Sequence, residues 1–87
     1  MVELNPEDMG AVVNRLRRAQ GQIGGILKMI EEGRDCKDVV TQLAAVNRAL
    51  DRAGFAIIAA EMREFARTGA VSEDDLDQLE RFFLSLA

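Results

Sequence analysis

Between residues 7 and 32, apolar side chains recur at Val12, Leu16, Ala19, Ile23, Ile26 and Ile30, in steps of 4, 3, 4, 3 and 4. That spacing is the a/d seam of a helix that packs along one side. The same steps return at Val39, Leu43, Val46, Leu50, Ala53 and Ile57. Near the end of the chain, Leu76, Leu79, Phe82, Phe83 and Leu86 gather on one face of a third, shorter helical segment. The pattern predicts three helices, two long and one short.

Local punctuation sets the expected boundaries. Asn5 is an N-cap candidate, Pro6 suits a first helical position, and Glu7 and Asp8 suit the positive end of the dipole, so helix one is expected from Pro6 or Glu7 to Glu32. Gly33 then stops it as a C′ residue. Helix two is expected from Asp35 as N-cap, with Asp38 at N3, to about Arg67 ahead of Gly69, a span of about 45 Å. Val40, Ala44, Phe55, Ile58 and Ala59 widen its apolar surface beyond one stripe, which argues for burial from more than one side. Ser72-Glu73-Asp74-Asp75 reads as a capping-box start of helix three, with Asp in place of the usual Glu. Gly21, Gly24 and Gly25 fall inside helix one, where each costs about 1 kcal/mol relative to Ala. Close approach of another helix or of a nucleic-acid backbone is the preferred account of them, a break in the helix the other.

Eighty-seven residues make one domain, 1–87, too small to cover a second helix of that length. The expected fold is all-α: a three-helix protomer with two long antiparallel helices and a short third, completed by association into a dimer or higher assembly. The first ten residues show no secretory pattern, the longest apolar run (Ala53 to Ala60) is too short to cross a bilayer, and one cysteine suits a reducing compartment. A cytoplasmic protein without membrane association is expected.

A net charge of −4 speaks against a nucleic-acid partner until its distribution is considered. From Gly10 to Ile30 the chain carries Arg15, Arg17, Arg18 and Lys28 and no acid, whereas Glu73, Asp74, Asp75, Asp77 and Glu80 crowd the C-terminal end. Arg15 and Arg18 share a helix face with Gln22 one turn beyond, and Arg48 and Arg52 share a face of helix two. Two helices each presenting an arginine pair, doubled by symmetry, suit duplex phosphates; an ordinary solvated face is the alternative.

Histidine is absent, which removes the usual acid–base catalyst, the Cys–His and Ser–His pairs and the commonest transition-metal ligand, so no enzyme is expected. Cys36 falls at the first helical position after Asp35, where free amides and the dipole favour an anion, and a thiolate is both nucleophile and metal ligand. A small filler side chain without a role is the competing account.

Two stretches carry a resemblance. RLRRAQGQIGGI, from Arg15 to Ile26, and DCKDVVTQLAAVNRAL, from Asp35 to Leu50, resemble the first-helix motif and the second-helix start of the copper-sensitive operon repressor family, and the likeness runs from Asn14 to Phe83. It implies an antiparallel dimer built on helices one and two, a flat homotetramer, and repression of double-stranded operator DNA that ends when an inducer acts at a site built on the Cys. The family's basic DNA-binding positions map to Arg15 and Arg18, with Arg48 and Arg52 as weaker candidates. In the copper sensors the Cys is completed by an H-x-x-x-C pair from the partner subunit; the matching positions here are Glu61 and Phe65. One thiolate with a carboxylate does not suit Cu(I), so no cofactor is expected and the usual copper site is dismantled. The persulfide sensors of the family need two cysteines, and this chain has one. What remains is Cys36 with Glu61, and Glu64 beside it, from a neighbouring protomer. The expected inducer is an electrophile or oxidant acting on Cys36. A harder metal held by Cys36 and Glu61, a regulator without inducer, and a helical scaffold that binds no DNA are the other readings.

Overall fold

A computed structural model describes residues 3–87; Met1 and Val2, part of the segment read above for a secretory signal, lie outside the described residues. The chain forms a short 3-10 turn, Pro6–Asp8, followed by α1 (Gly10–Glu31), α2 (Cys36–Thr68) and α3 (Glu73–Leu86). The all-α three-helix protomer is the one the periodicities predict.

The start of helix one differs from the expectation. Asn5 does cap, its side chain accepting from the Glu7 N–H, and Pro6 does open a helical turn. That turn closes after three residues with Met9 at φ −101° and ψ 7°, and α1 begins only at Gly10. Met9 is buried, and with Val12 and Ala60 it forms a core cluster against Ala56 and Ile57. Burying Met9 against α2 is the tertiary gain that goes with the interruption. The other end of α1 follows the sequence closely. Gly33 adopts φ 71°, its N–H donates to Ile30, and the Arg34 N–H reaches back to Met29, the paired bonds of a Schellman stop. Four residues later the chain runs back along itself, so α1 and α2 are antiparallel.

Only half of each predicted seam is used within the protomer. Val12, Ala19 and Ile26 of the α1 seam and Val46 and Ala53 of the α2 seam are buried at seven-residue intervals, Val39 is half-buried, and the row continues past the predicted seam to buried Ala60. The alternating positions Leu16, Ile23 and Ile30 on α1, with Leu43 and Leu50 on α2, remain 40–58 % exposed. The seven-residue rows interlock in the hairpin, and of the rows between them only Ile57 packs against the core. Overall dimensions agree. The radius of gyration is 16.5 Å, against about 12 Å for a compact chain of this length. The accessible surface is 6553 Å², against about 5,100 Å² for a monomer of this mass.

α2 ends at Gly69, in the left-handed region at φ 67°, with its N–H on the Phe65 carbonyl. The Ser72–Asp75 capping box then starts α3 as expected, with the Ser72 hydroxyl accepting from the Asp75 N–H at 3.1 Å and an Asp75 carboxylate oxygen accepting from the Ser72 N–H. α3 lies on α2 through buried Ile58 and Leu79 and through Phe55 and Phe83, whose ring centroids are 5.3 Å apart. At Gly54 a side chain would meet the tip of Leu86, so the absence of a Cβ here makes room for that α3 side chain. Gly21, Gly24 and Gly25 sit in an unbroken α1 with nothing near them in the protomer, so neither a break nor a close approach within one chain explains them. No helix among the described residues is long and apolar enough to cross a membrane.

Candidate nucleic-acid interface and sensor residues

Antiparallel packing of α1 on α2 brings the two arginine faces together. Arg15, Arg18 and Gln22 from α1 and Arg48 and Arg52 from α2 line one groove of about 300 Å³, and Ala45 and Ala49 floor it. Each set shares its face through three- and four-residue spacing, and small alanine side chains leave the space between helices open. All five polar residues are solvent-exposed. No acid lines the groove, and the acidic cluster of α3 contributes nothing to it. Among the described residues the ion pairs are Lys28–Glu32, Arg34–Asp38 and Glu64–Arg67, so none of the groove arginines is neutralised by a carboxylate. Four guanidiniums held together without counter-charge repel one another, and their five-donor forks match phosphate oxygens. The groove is chemically a site for an extended or multiply charged anion.

The sensor residues are placed quite differently. Cys36 is the first residue of α2, free and exposed. Asp35 stands at the N-cap but makes no side-chain cap bond. Its carboxylate therefore does not engage the first-turn amides, while Arg34 pairs loosely with Asp38 at 3.8 Å. Glu61 lies 25 residues along the same helix, roughly 37 Å away at 1.5 Å per residue. Cys36 and Glu61 of one chain cannot meet; they can share a site only between two copies. Glu61 is buried, and desolvation, then the nearby Glu64 and Asp8 carboxylates, push its carboxyl above the usual range. Glu64 is committed elsewhere: Arg67 grips it with two donors, one at 3.0 Å, and holds its carboxyl below the usual range. Asp8, Arg63, Glu64 and Arg67 line a cleft beside Ala60 at this end of the hairpin. Among the described residues, no cluster of three or more His, Cys, Asp or Glu side chains is present that could hold a metal.

The model of the metal-sensitive transcriptional repressor family matches residues 8–85. The chain belongs to that family. Its members are transcriptional repressors rather than enzymes, in keeping with the missing catalytic residues. The copper-sensing transcriptional repressor RicR of Mycobacterium tuberculosis is 58 % identical over 36 residues, covering 41 % of this chain and 38 % of RicR. The copper-sensing transcriptional repressor CsoR of Bacillus subtilis is 44 % identical over 39 residues, 45 % of this chain and 39 % of that protein. The uncharacterised protein YrkD of Bacillus subtilis is 39 % identical over 51 residues, 59 % of this chain and 81 % of YrkD. The matched stretch thus spans less than two fifths of either copper sensor. No solved structure gives a significant match.

Two features of this end of the family fold escaped the sequence reading. Phe55 borders the arginine groove, and Asp8 and Arg63 join the charged cleft at the far end of α2. The first was available, since Phe55 lies three residues past Arg52 and shares its face. The second depends on the 3-10 turn folding back over α2, which no periodicity announces.

Proposed function

We propose that this chain is a cytoplasmic, homo-oligomeric DNA-binding repressor that holds duplex operator DNA through Arg15, Arg18, Gln22, Arg48 and Arg52 and releases it when an inducer acts at Cys36. The observation that carries the reading is the groove: four unpaired guanidiniums and an amide gathered from two helices with no acid among them. Phosphate contacts of this kind supply most of the affinity of a duplex-binding protein and position it without reading sequence. The uncovered Leu16, Ile23, Ile30, Leu43 and Leu50 rows call for a second copy, and a dimer of dimers forming a flat tetramer multiplies the grooves along a duplex. Acid concentrated on α3 stays clear of the phosphates.

Cys36 suits a thiol sensor because it is exposed and begins a 33-residue helix whose first turn lacks a side-chain cap. A soft electrophile such as an α,β-unsaturated carbonyl would be attacked by the sulfur at its β-carbon, the C–S bond forming as the C=C π bond breaks and the thiol proton ends on the α-carbon. The antiparallel dimer that the family resemblance implies would set the start of α2 near Glu61 of the partner subunit, so that bulk or charge added at Cys36 acts on the pairing of the two hairpins. A metal bridging Cys36 and Glu61 of the partner subunit is the second reading, supported by the buried carboxylate and by relatives named as copper sensors. The donor set itself argues against Cu(I), which prefers soft thiolate and imidazole ligands.

The test is a titration of the protein into duplex DNA from upstream of its own gene, with and without alkylation of Cys36. Tight binding weakened by alkylation supports the thiol-gated repressor. Binding indifferent to alkylation removes Cys36 as the sensor, as does an inducer response that persists in Cys36→Ala. Absence of binding to any duplex at low salt would favour a scaffold.

A further inference from the structure

The groove does not end where its cations do. Arg15 and Arg52 also line a second, shallower cleft of about 480 Å³, whose remaining walls are Phe55, Ala56 and Ala59. The two hollows share the Arg15 and Arg52 guanidiniums, so they adjoin along α2. Steps of three and four residues from Arg52 to Phe55, Ala56 and Ala59 keep these side chains on one helix face. Phe55 is half-buried, and Phe83 of α3 packs against its ring at 57° to it, which fixes the ring's position. The backbone of a duplex presents phosphates at regular intervals and has no use for an aromatic wall beside them. A ligand that fills both halves carries several negative charges at one end and a flat apolar group at the other.

We propose that this depression binds a small polyanion of the nucleoside polyphosphate class, with its phosphates on Arg15, Arg52 and Arg48 and its base against Phe55. The proposal rests on the reading of the groove as a phosphate site, and it makes duplex and nucleotide compete for the same arginines. Stacking of a base on an aromatic side chain is sequence-tolerant and adds to the charge attraction, as in single-strand binding proteins. The combination of a mainly apolar hollow with a few convergent charged groups is also the common build of a small-molecule site.

Titrating ATP and, separately, inorganic tripolyphosphate into the full-length protein by calorimetry at low salt tests this. Tripolyphosphate carries as many phosphates as ATP and no base, so charge alone predicts that it binds at least as tightly. The proposal predicts that ATP binds about tenfold tighter, the order expected of one base–aromatic stack, and that Phe55→Leu removes this advantage while leaving tripolyphosphate binding in place. Leu keeps apolar volume against Phe83; should the variant fail to fold by circular dichroism, Ala59→Leu fills the same half of the cleft and carries the same prediction. Equal affinity for the two probes, or an ATP preference untouched by both variants, overturns the proposal. Duplex binding measured alongside separates the two readings. Duplex binding without an ATP preference overturns the nucleotide site alone, and an ATP preference without duplex binding overturns the repressor reading alone.

Discussion

The hairpin has two charged junctions between its N-terminal and C-terminal segments, and they are built on opposite principles. At the arginine groove, Arg15, Arg18, Arg48 and Arg52 stand together with no acid among the lining residues. At the far end of α2, Asp8 and Glu64 stand with Arg63 and Arg67 around one cleft, a two-donor bond ties Glu64 to Arg67, and the buried Glu61 beside them is repelled by both carboxylates. The second mixes both signs and pairs Glu64 with Arg67 inside the protomer; the first gains only when an anion arrives. Four like charges side by side are the feature that the proposed duplex contact would explain.

The largest effect is expected from the apolar row that joins the two junctions into one assembly. Leu50→Asp places a charge where a second copy should pack, at a cost of several kcal/mol per interface. Size-exclusion chromatography with light scattering should report monomers, circular dichroism should still report helices, and duplex binding should be lost with the repeated set of grooves. Next, Arg48→Ala combined with Arg52→Ala should weaken duplex binding by roughly 100-fold near physiological salt, since taking a guanidinium off its phosphate lowers both the affinity and its salt dependence. Its melting temperature should hold or rise, because like charges have been taken apart.

Smaller effects are expected at the junction of mixed charge, on folding rather than binding. The Glu61 carboxyl is raised by burial and neighbouring carboxylates, so its ionised form opposes folding. With a folded-state value above the unfolded one, Glu61 contributes stability that is fully present below the unfolded carboxylate range and is lost as pH rises through the folded value. Glu61→Gln should therefore raise the melting temperature by a few degrees at neutral pH, and the gap should close in acid. Glu64 has the opposite sign: Arg67 lowers its carboxyl, so its contribution is present above the unfolded range and fades as pH falls through the folded value. Glu64→Gln should lower the neutral-pH melting temperature slightly, by less than the Glu61 change, because the pair is solvated. A Glu61→Gln protein that melts lower than the wild type at neutral pH would contradict this account of the junction.

Much of this was legible in the chain, for reasons that can be named. Helix faces follow from spacing, so the sharing of sides by Arg15, Arg18 and Gln22, and by Arg48 and Arg52, needed only the helical period. The Gly33 stop and the Ser72–Asp75 box are local chemistry and stood where the sequence put them. Which half of each seam would be buried was not legible, because an a/d pattern does not say which partner takes which row. The break at Met9 was hidden for a similar reason. Local signals at Asn5 and Pro6 favoured an immediate helix, while the burial of Met9 against α2 is a long-range gain. Gly54 gave no sign of its role either, since its meaning lies in Leu86 of another helix. The placing of Cys36 at the start of α2 was readable from Asp35, whereas its pairing with Glu61 came only from the family resemblance, because Glu61 lies at the other end of the same helix.

The most direct test of the central claim is the salt dependence of duplex binding by the oligomeric protein. If the groove arginines grip phosphates, the logarithm of the affinity should fall linearly with the logarithm of salt, with a slope steeper than about −3 for four phosphates neutralised at ~0.9 each. The Arg48→Ala, Arg52→Ala protein should flatten it by about 2 for each protomer engaged. A slope near zero, or no saturable binding even at low salt, would contradict the account and leave the groove without its duplex.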